Sequence, residues 1–210
     1  MDRKTEQYIL SHIEPEDPIL NALDRETHLK VPGARMISGH LQGLVLTMFS
    51  KMIQPERILE LGTFTGYSAI CLAKGLPENG KLITIEIDDE LEDLAQKYFA
   101  KAELQQKIVQ VIGPALEIIP SLNETFDLVF LDADKREYLA YYNLVFDKVR
   151  SGGYFITDNT LWSGKVLDPP APGDEQTRGI TAFNEAIKND SRVEKVILPL
   201  RDGMTIIRKK

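Results

Sequence analysis

The 210-residue, 23.7 kDa chain carries a formal charge of −7 and a pI near 5.1. That balance argues against a broad nucleic-acid footprint and favours small-molecule partners. Its length suits a single α/β domain, 1–210, that buries about 70 % of its unfolded surface without a linker. The lone cysteine, Cys71, excludes an intrachain disulfide and reads as core filler in a reducing compartment. Met1 to Glu6 leads into no apolar run of signal-peptide or membrane-spanning length, so a cytoplasmic protein with no membrane partner is expected.

Residues 3–13, with Tyr8, Ile9 and Ile13, predict a short helix stopped near Pro15 and Pro18, and 18–29 predicts a second. These N-terminal helices, within 1–35, are expected either to cap a substrate crevice or to build a dimer contact. His12, His28 and His40 are too scattered for a metal site and read as surface or packing residues. Ser38 is positioned to cap a helix whose stripe Leu41, Leu44, Val45, Met48, Phe49 and Met52 is expected to face the core, with Pro55 ending it.

Next comes Arg57-Ile58-Leu59-Glu60-Leu61-Gly62-Thr63-Phe64-Thr65-Gly66-Tyr67-Ser68, a buried strand that breaks at glycine and restarts as a helix, as in the cofactor crevice of a doubly wound sheet. The glycines fall as G-x-x-x-G, and Phe64 stands where a pyrophosphate would need the backbone close, so a dinucleotide fits poorly. Glu60 in an apolar strand needs a donor or a cation, unless it belongs to a buried structural ion pair. Glu86 closes the strand Lys81–Ile87 twenty-four positions after Gly62, where an acid can bind ribose hydroxyls.

Beyond this loop the pattern alternates: strand 57–62, helix 66–75, strand 81–87, helix 89–101, strand 108–112, a short helix 115–119, strand 126–132, helix 136–149 and strand 153–158. That rhythm predicts a parallel sheet with right-handed crossovers. The last third departs from it. A loop over 159–174 holds Pro169, Pro170 and Pro172, a helix covers 175–189, and Val193–Leu198 and Met204–Arg208 flank Asp202-Gly203, which predicts an antiparallel last strand.

The strand ends carry acids. Asp132 closes 126–132, and Asp158 with Asn159 closes 153–158, so all three can converge over the glycine loop. Two carboxylates and an amide oxygen form a hard, all-oxygen donor set suited to Mg²⁺, unless the acids merely cap the segments that follow. Lys135, separated from Asp132 by the pair Ala133-Asp134, is either a general base or a solvated lysine.

These residues resemble the cation-dependent, S-adenosylmethionine-dependent O-methyltransferases that include catechol and caffeoyl-CoA O-methyltransferases. The resemblance runs from Met36 to Arg208 through Glu60-Leu61-Gly62-Thr63-Phe64-Thr65-Gly66-Tyr67-Ser68, Gly113-Pro114-Ala115, Leu131-Asp132-Ala133-Asp134-Lys135, Asp158-Asn159-Thr160-Leu161-Trp162 and Asp202-Gly203-Met204-Thr205-Ile206. It implies a Rossmann-like class I methyltransferase, a mostly parallel seven-stranded sheet with an antiparallel C-terminal strand and helices on both faces. It implies that Ser38, Glu60, Gly62, Thr63 and Ser68 line the methionine side of the cofactor, with Glu86 on the ribose, Ala115 against adenine, and Asp132 and Asp134 near the cofactor. Asp132, Asp158 and Asn159 would hold the divalent cation, Mg²⁺ or else Mn²⁺ or Ca²⁺, with Lys135 as base and Asp132 beside it at the catalytic centre. A homodimer is implied too.

The implied reaction is methyl transfer to one hydroxyl of a vicinal dihydroxy aromatic. Ser163 stands where the caffeoyl-CoA enzymes carry an asparagine, and their CoA-binding N-terminal lysine has no secure counterpart. Trp162, Tyr138 and Tyr141 could instead wall a flat ring, or simply pack. Rival readings are a methyltransferase acting on hydroxylated uridine in transfer RNA, a nicotinamide oxidoreductase and a non-catalytic cofactor-binding protein.

Overall fold

A computed structural model describes residues 3–210; what was read from Met1 and Asp2 lies outside the described residues. Helix α1 (Arg3–Leu10) stops short of the expected 13, and α2 (Pro18–Lys30) follows. Pro18 costs no hydrogen bond in the first turn, and Asp17 caps the helix by accepting from the Ile19 amide at 2.8 Å. Leu20, Leu23 and Thr27 form the buried side of α2.

Helix α3 (Gly39–Ile53) corrects the expected stripe. Its buried face is Gln42, Gly43, Leu46, Thr47 and Ser50, whereas Met48 and Met52 are 56 % and 74 % exposed. The cause is the close approach of α4 (Tyr67–Ala73): the Thr47 hydroxyl donates to the Cys71 carbonyl at 3.1 Å, and that of Ser50 to the Leu72 carbonyl at 2.6 Å. A Cβ on Gly43 would lie 2.6 Å from the Tyr67 ring. Contact at that range selects small residues over long apolar ones, so the buried face is rotated away from Met48 and Met52, while Val45 and Phe49 of the expected stripe still pack against the core. Ser38 stands at the N-cap position but makes no side-chain capping bond.

The seven strands are β1 (Arg57–Leu61), β2 (Lys81–Glu86), β3 (Ile108–Ile112), β4 (Phe126–Leu131), β5 (Val149–Thr157), β6 (Val193–Leu198) and β7 (Met204–Lys209). Their order is β3-β2-β1-β4-β5-β7-β6. The first five are parallel, and β7 runs antiparallel between β5 and β6, as the hairpin signal predicts. Helices α5 (Glu92–Lys101), α6 (Ala115–Ser121), α7 (Tyr138–Phe146) and α8 (Glu175–Asn189) complete the layers. Two apolar clusters fill the molecule, one containing Leu46, Ile70, Phe99 and Phe130, the other Val129, Tyr142, Phe155 and Phe183.

Other boundaries moved as well. Strand β5 begins at Val149 rather than 153, after an irregularity in its pairing with β4 between Phe126 and Leu128. The 159–174 segment contains a short helical turn over Trp162–Leu167, kinked at Ser163 and Gly164. Among the described residues no helix is long and apolar enough to cross a membrane.

The order reverses between β1 and β4, which opens a crevice at their carboxyl ends. Helix α8 braces the far wall: a Cβ on Gly179 would meet the Arg136 Cα at 2.7 Å, in the turn that carries Lys135. Gly179→Ala is therefore expected to cost roughly 1–3 kcal/mol through overpacking, a fall of about 2–10 °C in Tm. An unchanged melting curve would show that α8 does not brace that turn.

Candidate active site

The site grows out of strand register. Leu61 pairs with Leu131, and Leu131 with Thr157, so the residues that follow emerge side by side. The Gly62 amide donates to Ile85 O at 3.0 Å, that of Asp132 to Leu61 O at 2.9 Å, and that of Asp158 to Leu131 O at 3.0 Å. At Gly62, φ is +97° and a Cβ would run into the Asp132 carbonyl, so glycine alone lets the β1 loop lie against the end of β4. Glu86 closes this loop by accepting from the Phe64 amide at 2.7 Å, and from those of Ile87 and Asp88 at 2.9 and 3.0 Å.

A cavity of about 1340 Å³ opens here. It exceeds the ~300–1,000 Å³ typical of a pocket for one small ligand, leaving room for a cofactor and a second molecule. Ser38, Gly62, Thr63, Ser68, Glu86, Ala115, Asp132, Asp134, Lys135, Asp158 and Asn159 all line it. Trp162 and Tyr141 line it as well, and the Trp162 indole nitrogen has no hydrogen-bond partner.

One sequence expectation changes, at Glu60, and one open alternative is decided, at Tyr138. Glu60 is fully buried and does not border the cavity. Opposite Thr84 in register, its Oε2 accepts from the Thr84 hydroxyl at 2.6 Å, which in turn shares a 2.5 Å hydrogen bond with the Thr63 hydroxyl. It supports the loop from beneath through Thr84 and Thr63. Tyr138 is also excluded from the wall: its hydroxyl donates to the carbonyls of Leu131 and Asp158, at 3.3 and 3.2 Å, deep in the core.

At the acidic end, Lys135 Nζ lies 2.6 Å from Asp132 Oδ1. Asp158 Oδ2 accepts from Gln42 Nε2 at 2.8 Å, and its Oδ1 from the Asn159 amide at 2.8 Å. Asn159 is held at φ +58°, a left-handed conformation that asparagine tolerates better than most residues. Burial pushes the Asp132 carboxyl up to about 6, with the nearby charge of Asp158 adding to the rise and Lys135 offsetting part of it. Asp134 is held below its usual range by Arg136, which grips both its oxygens.

Among the described residues no group of three or more His, Cys, Asp or Glu could hold a metal ion. The donor set that fits one is two carboxylates and an amide: close acids whose repulsion a cation would relieve, joined by the Asn159 side chain.

The chain matches the O-methyltransferase family model over residues 10–210. It belongs to that family. It is 36 % identical over 215 residues to caffeoyl-CoA O-methyltransferase 1 of Nicotiana tabacum, an alignment covering 97 % of this chain and 90 % of that protein. The O-methyltransferase TomG of Streptomyces achromogenes, solved with S-adenosylmethionine and involved in tomaymycin synthesis, superposes with a TM-score of 0.92 at 30 % identity, covering 99 % of this chain and 96 % of that one. An O-methyltransferase from Bacillus cereus with bound S-adenosylhomocysteine gives 0.91 at 28 % identity, covering 99 % and 97 %. As a member of an S-adenosylmethionine-dependent family, the protein uses that cofactor.

Sequence reasoning missed Gln42 and Arg201. Arg201 Nη1 donates to Gln42 Oε1 and Ile37 O, both at 3.0 Å, and to Ser38 O. The only signal for Gln42 was a polar residue inside an apolar helix, and for Arg201 its place beside the Asp202-Gly203 turn.

Burial pushes the Glu60 carboxyl from 4.5 up to about 8, with the Thr84 and Ser68 hydroxyls lowering it only in part. Between those values the unfolded carboxyl has lost its proton while the folded one keeps it, so unfolding releases a proton and stability falls as pH rises. The ligand-free protein is expected to lose thermal stability between about pH 5 and 8, and Glu60→Gln to flatten that slope. Identical slopes for the two proteins in a melting series would contradict a protonated Glu60.

Proposed function

We propose that the protein transfers a methyl group from S-adenosylmethionine to one hydroxyl of a vicinal dihydroxy aromatic molecule, using a divalent cation, Mg²⁺ in the first instance, held by Asp132, Asp158 and Asn159. The observation that carries this reading is the meeting of Asp132, Lys135, Asp158 and Asn159 in the cavity that also receives the glycine loop. Likeness to enzymes named for caffeoyl-CoA supports an aromatic acceptor. The flat Trp162 and Tyr141 side chains on the wall support it too. The reading extends to a homodimer, to which the uncovered Met48 and Met52 of α3 would lend apolar surface.

The sulfonium cofactor would supply the methyl group, and the cation the Lewis-acid charge that lowers the pKa of the accepting hydroxyl. The chain's own part is chiefly to orient. Gly62, Thr63 and Ser68 would seat the methionine end, Glu86 the ribose and Ala115 the adenine, with Asp134 alongside. The neutral amine form of Lys135, whose Nζ lies 2.6 Å from Asp132 Oδ1, is assigned to receive the hydroxyl proton and leave as the ammonium. Well-oriented reactants can take up to roughly 7–11 kcal/mol off a barrier, against about 3–5 kcal/mol for general-base help of ~10²–10⁴-fold.

Lys135→Ala is thus expected to leave weak activity, and Asp158→Ala almost none. The assay is methyl transfer from labelled S-adenosylmethionine to a catechol panel, with and without EDTA and added Mg²⁺. EDTA-sensitive turnover restored by Mg²⁺ is the expected result. Equal, small losses in both variants, or turnover indifferent to EDTA, would overturn the mechanism. Methylation of transfer RNA with no catechol turnover would move the acceptor to hydroxylated uridine.

A further inference from the structure

The cations around the cavity are not alike. Lys135 is committed to Asp132, Arg136 to Asp134, and Lys165 to Asp174 at 2.9 Å. Arg35 and Arg201 also line the cavity, yet among the described residues neither has a carboxylate within ion-pairing distance. That is unusual for this acidic chain. Of the arginines whose side chains are described, Arg57, Arg136, Arg150, Arg178, Arg192 and Arg208 each pair with an acid, and only Arg25 joins the two cavity residues in lacking one.

Arg201 is held in place by uncharged hydrogen-bond partners, and the Asp132 carboxylate acts on it only through space. Its Nη1 donates to two backbone carbonyls and the Gln42 amide oxygen, all uncharged, while its Nε and Nη2 hydrogens have no partner among the described residues. The adjacent Asp202 instead accepts from the Ser163 amide. Arg201 sits at φ +48°, a conformation that a non-glycine residue keeps only where its surroundings dictate it. Gln42 ties it to the acidic end, donating onward to Asp158 Oδ2 at 2.8 Å. Arg35 lies two residues before Ile37, one of the carbonyls on which Arg201 rests.

We infer that Arg201, with Arg35 on the same rim, forms an anion subsite, and that the methyl acceptor carries a carboxylate or phosphate besides the hydroxyl it offers. The inference rests on the acceptor reading above. A planar, permanently charged fork with free N–H groups suits the oxygens of either anion, and fixing that group one amide side chain from Asp158 would set which way the ring enters.

Two matched pairs of acceptors test it and separate the sources: catechol against 3,4-dihydroxybenzoate for a carboxylate, and the N-acetylcysteamine thioester of caffeic acid against caffeoyl-CoA for phosphate. The wild-type protein is expected to prefer the anionic member of at least one pair by about tenfold or more in kcat/KM, mainly through KM. Arg201→Gln should shrink that ratio about 10–100-fold, and Arg201→Lys should recover part of it. Arg35→Ala removes an exposed side chain with no hydrogen bond, so it tests the same ratio without risk to folding.

No anionic preference in the wild type, or a ratio unmoved by both Arg201→Gln and Arg35→Ala, would overturn the inference. If no dihydroxy aromatic is methylated, the acceptor reading itself fails. The subsite is then judged by calorimetric titration of the S-adenosylhomocysteine-loaded protein with benzoate and with adenosine 3′,5′-bisphosphate. Weaker binding of either in Arg201→Gln supports the subsite; no binding, or binding equal to wild type, overturns it.

Discussion

Asp132 and Asp158 stand at the ends of adjacent parallel strands, both largely withdrawn from water, and nearly every feature of the crevice answers the cost of keeping two acids so close. Lys135 Nζ donates to one, while Gln42 and the Asn159 backbone amide donate to the other. These are partial answers, since Asp132 still holds its proton to about pH 6. An arrangement that keeps strained acids facing a large cavity, rather than replacing one with an amide, is suited to a cationic guest.

The opposite half of the crevice solves a different problem, how to bring backbone close to a ligand without leaving buried groups unpaired. Gly62 permits the approach, and Glu86 takes up the Phe64 amide and two more beyond β2. Underneath, Glu60, Thr84 and Thr63 form a buried chain whose register is set by the pairing of β1 with β2. The two halves meet where the Gly62 backbone lies against the Asp132 carbonyl and the Asp132 amide donates to Leu61 O. A change at either end is therefore felt at the other.

Much of this was legible because it depends on local order. A strand that ends in glycine, strands that end in acid and the Asp202-Gly203 turn each announce themselves within a few residues, and parallel topology then carries their ends to one edge. What stayed hidden depends on partners distant in sequence. Met48 and Met52 of the expected α3 stripe turned outward because Gly43, Thr47 and Ser50 pack against α4, a choice made by close approach rather than hydrophobicity. Glu60 and Tyr138 left the cavity wall because Thr84 and the Leu131 and Asp158 carbonyls supply their partners elsewhere. The link from Arg201 through Gln42 to Asp158 joins three separate segments and leaves no periodic trace.

The most direct test of the account is electron paramagnetic resonance of Mn²⁺ titrated into the protein loaded with S-adenosylhomocysteine, comparing wild type with Asp158→Ala and Asp132→Asn. The account expects the signal of free Mn²⁺ to be suppressed by wild type, through one tight site per chain, and to return in both variants. Free Mn²⁺ throughout, or equal binding by all three proteins, would contradict a cation held by the paired acids.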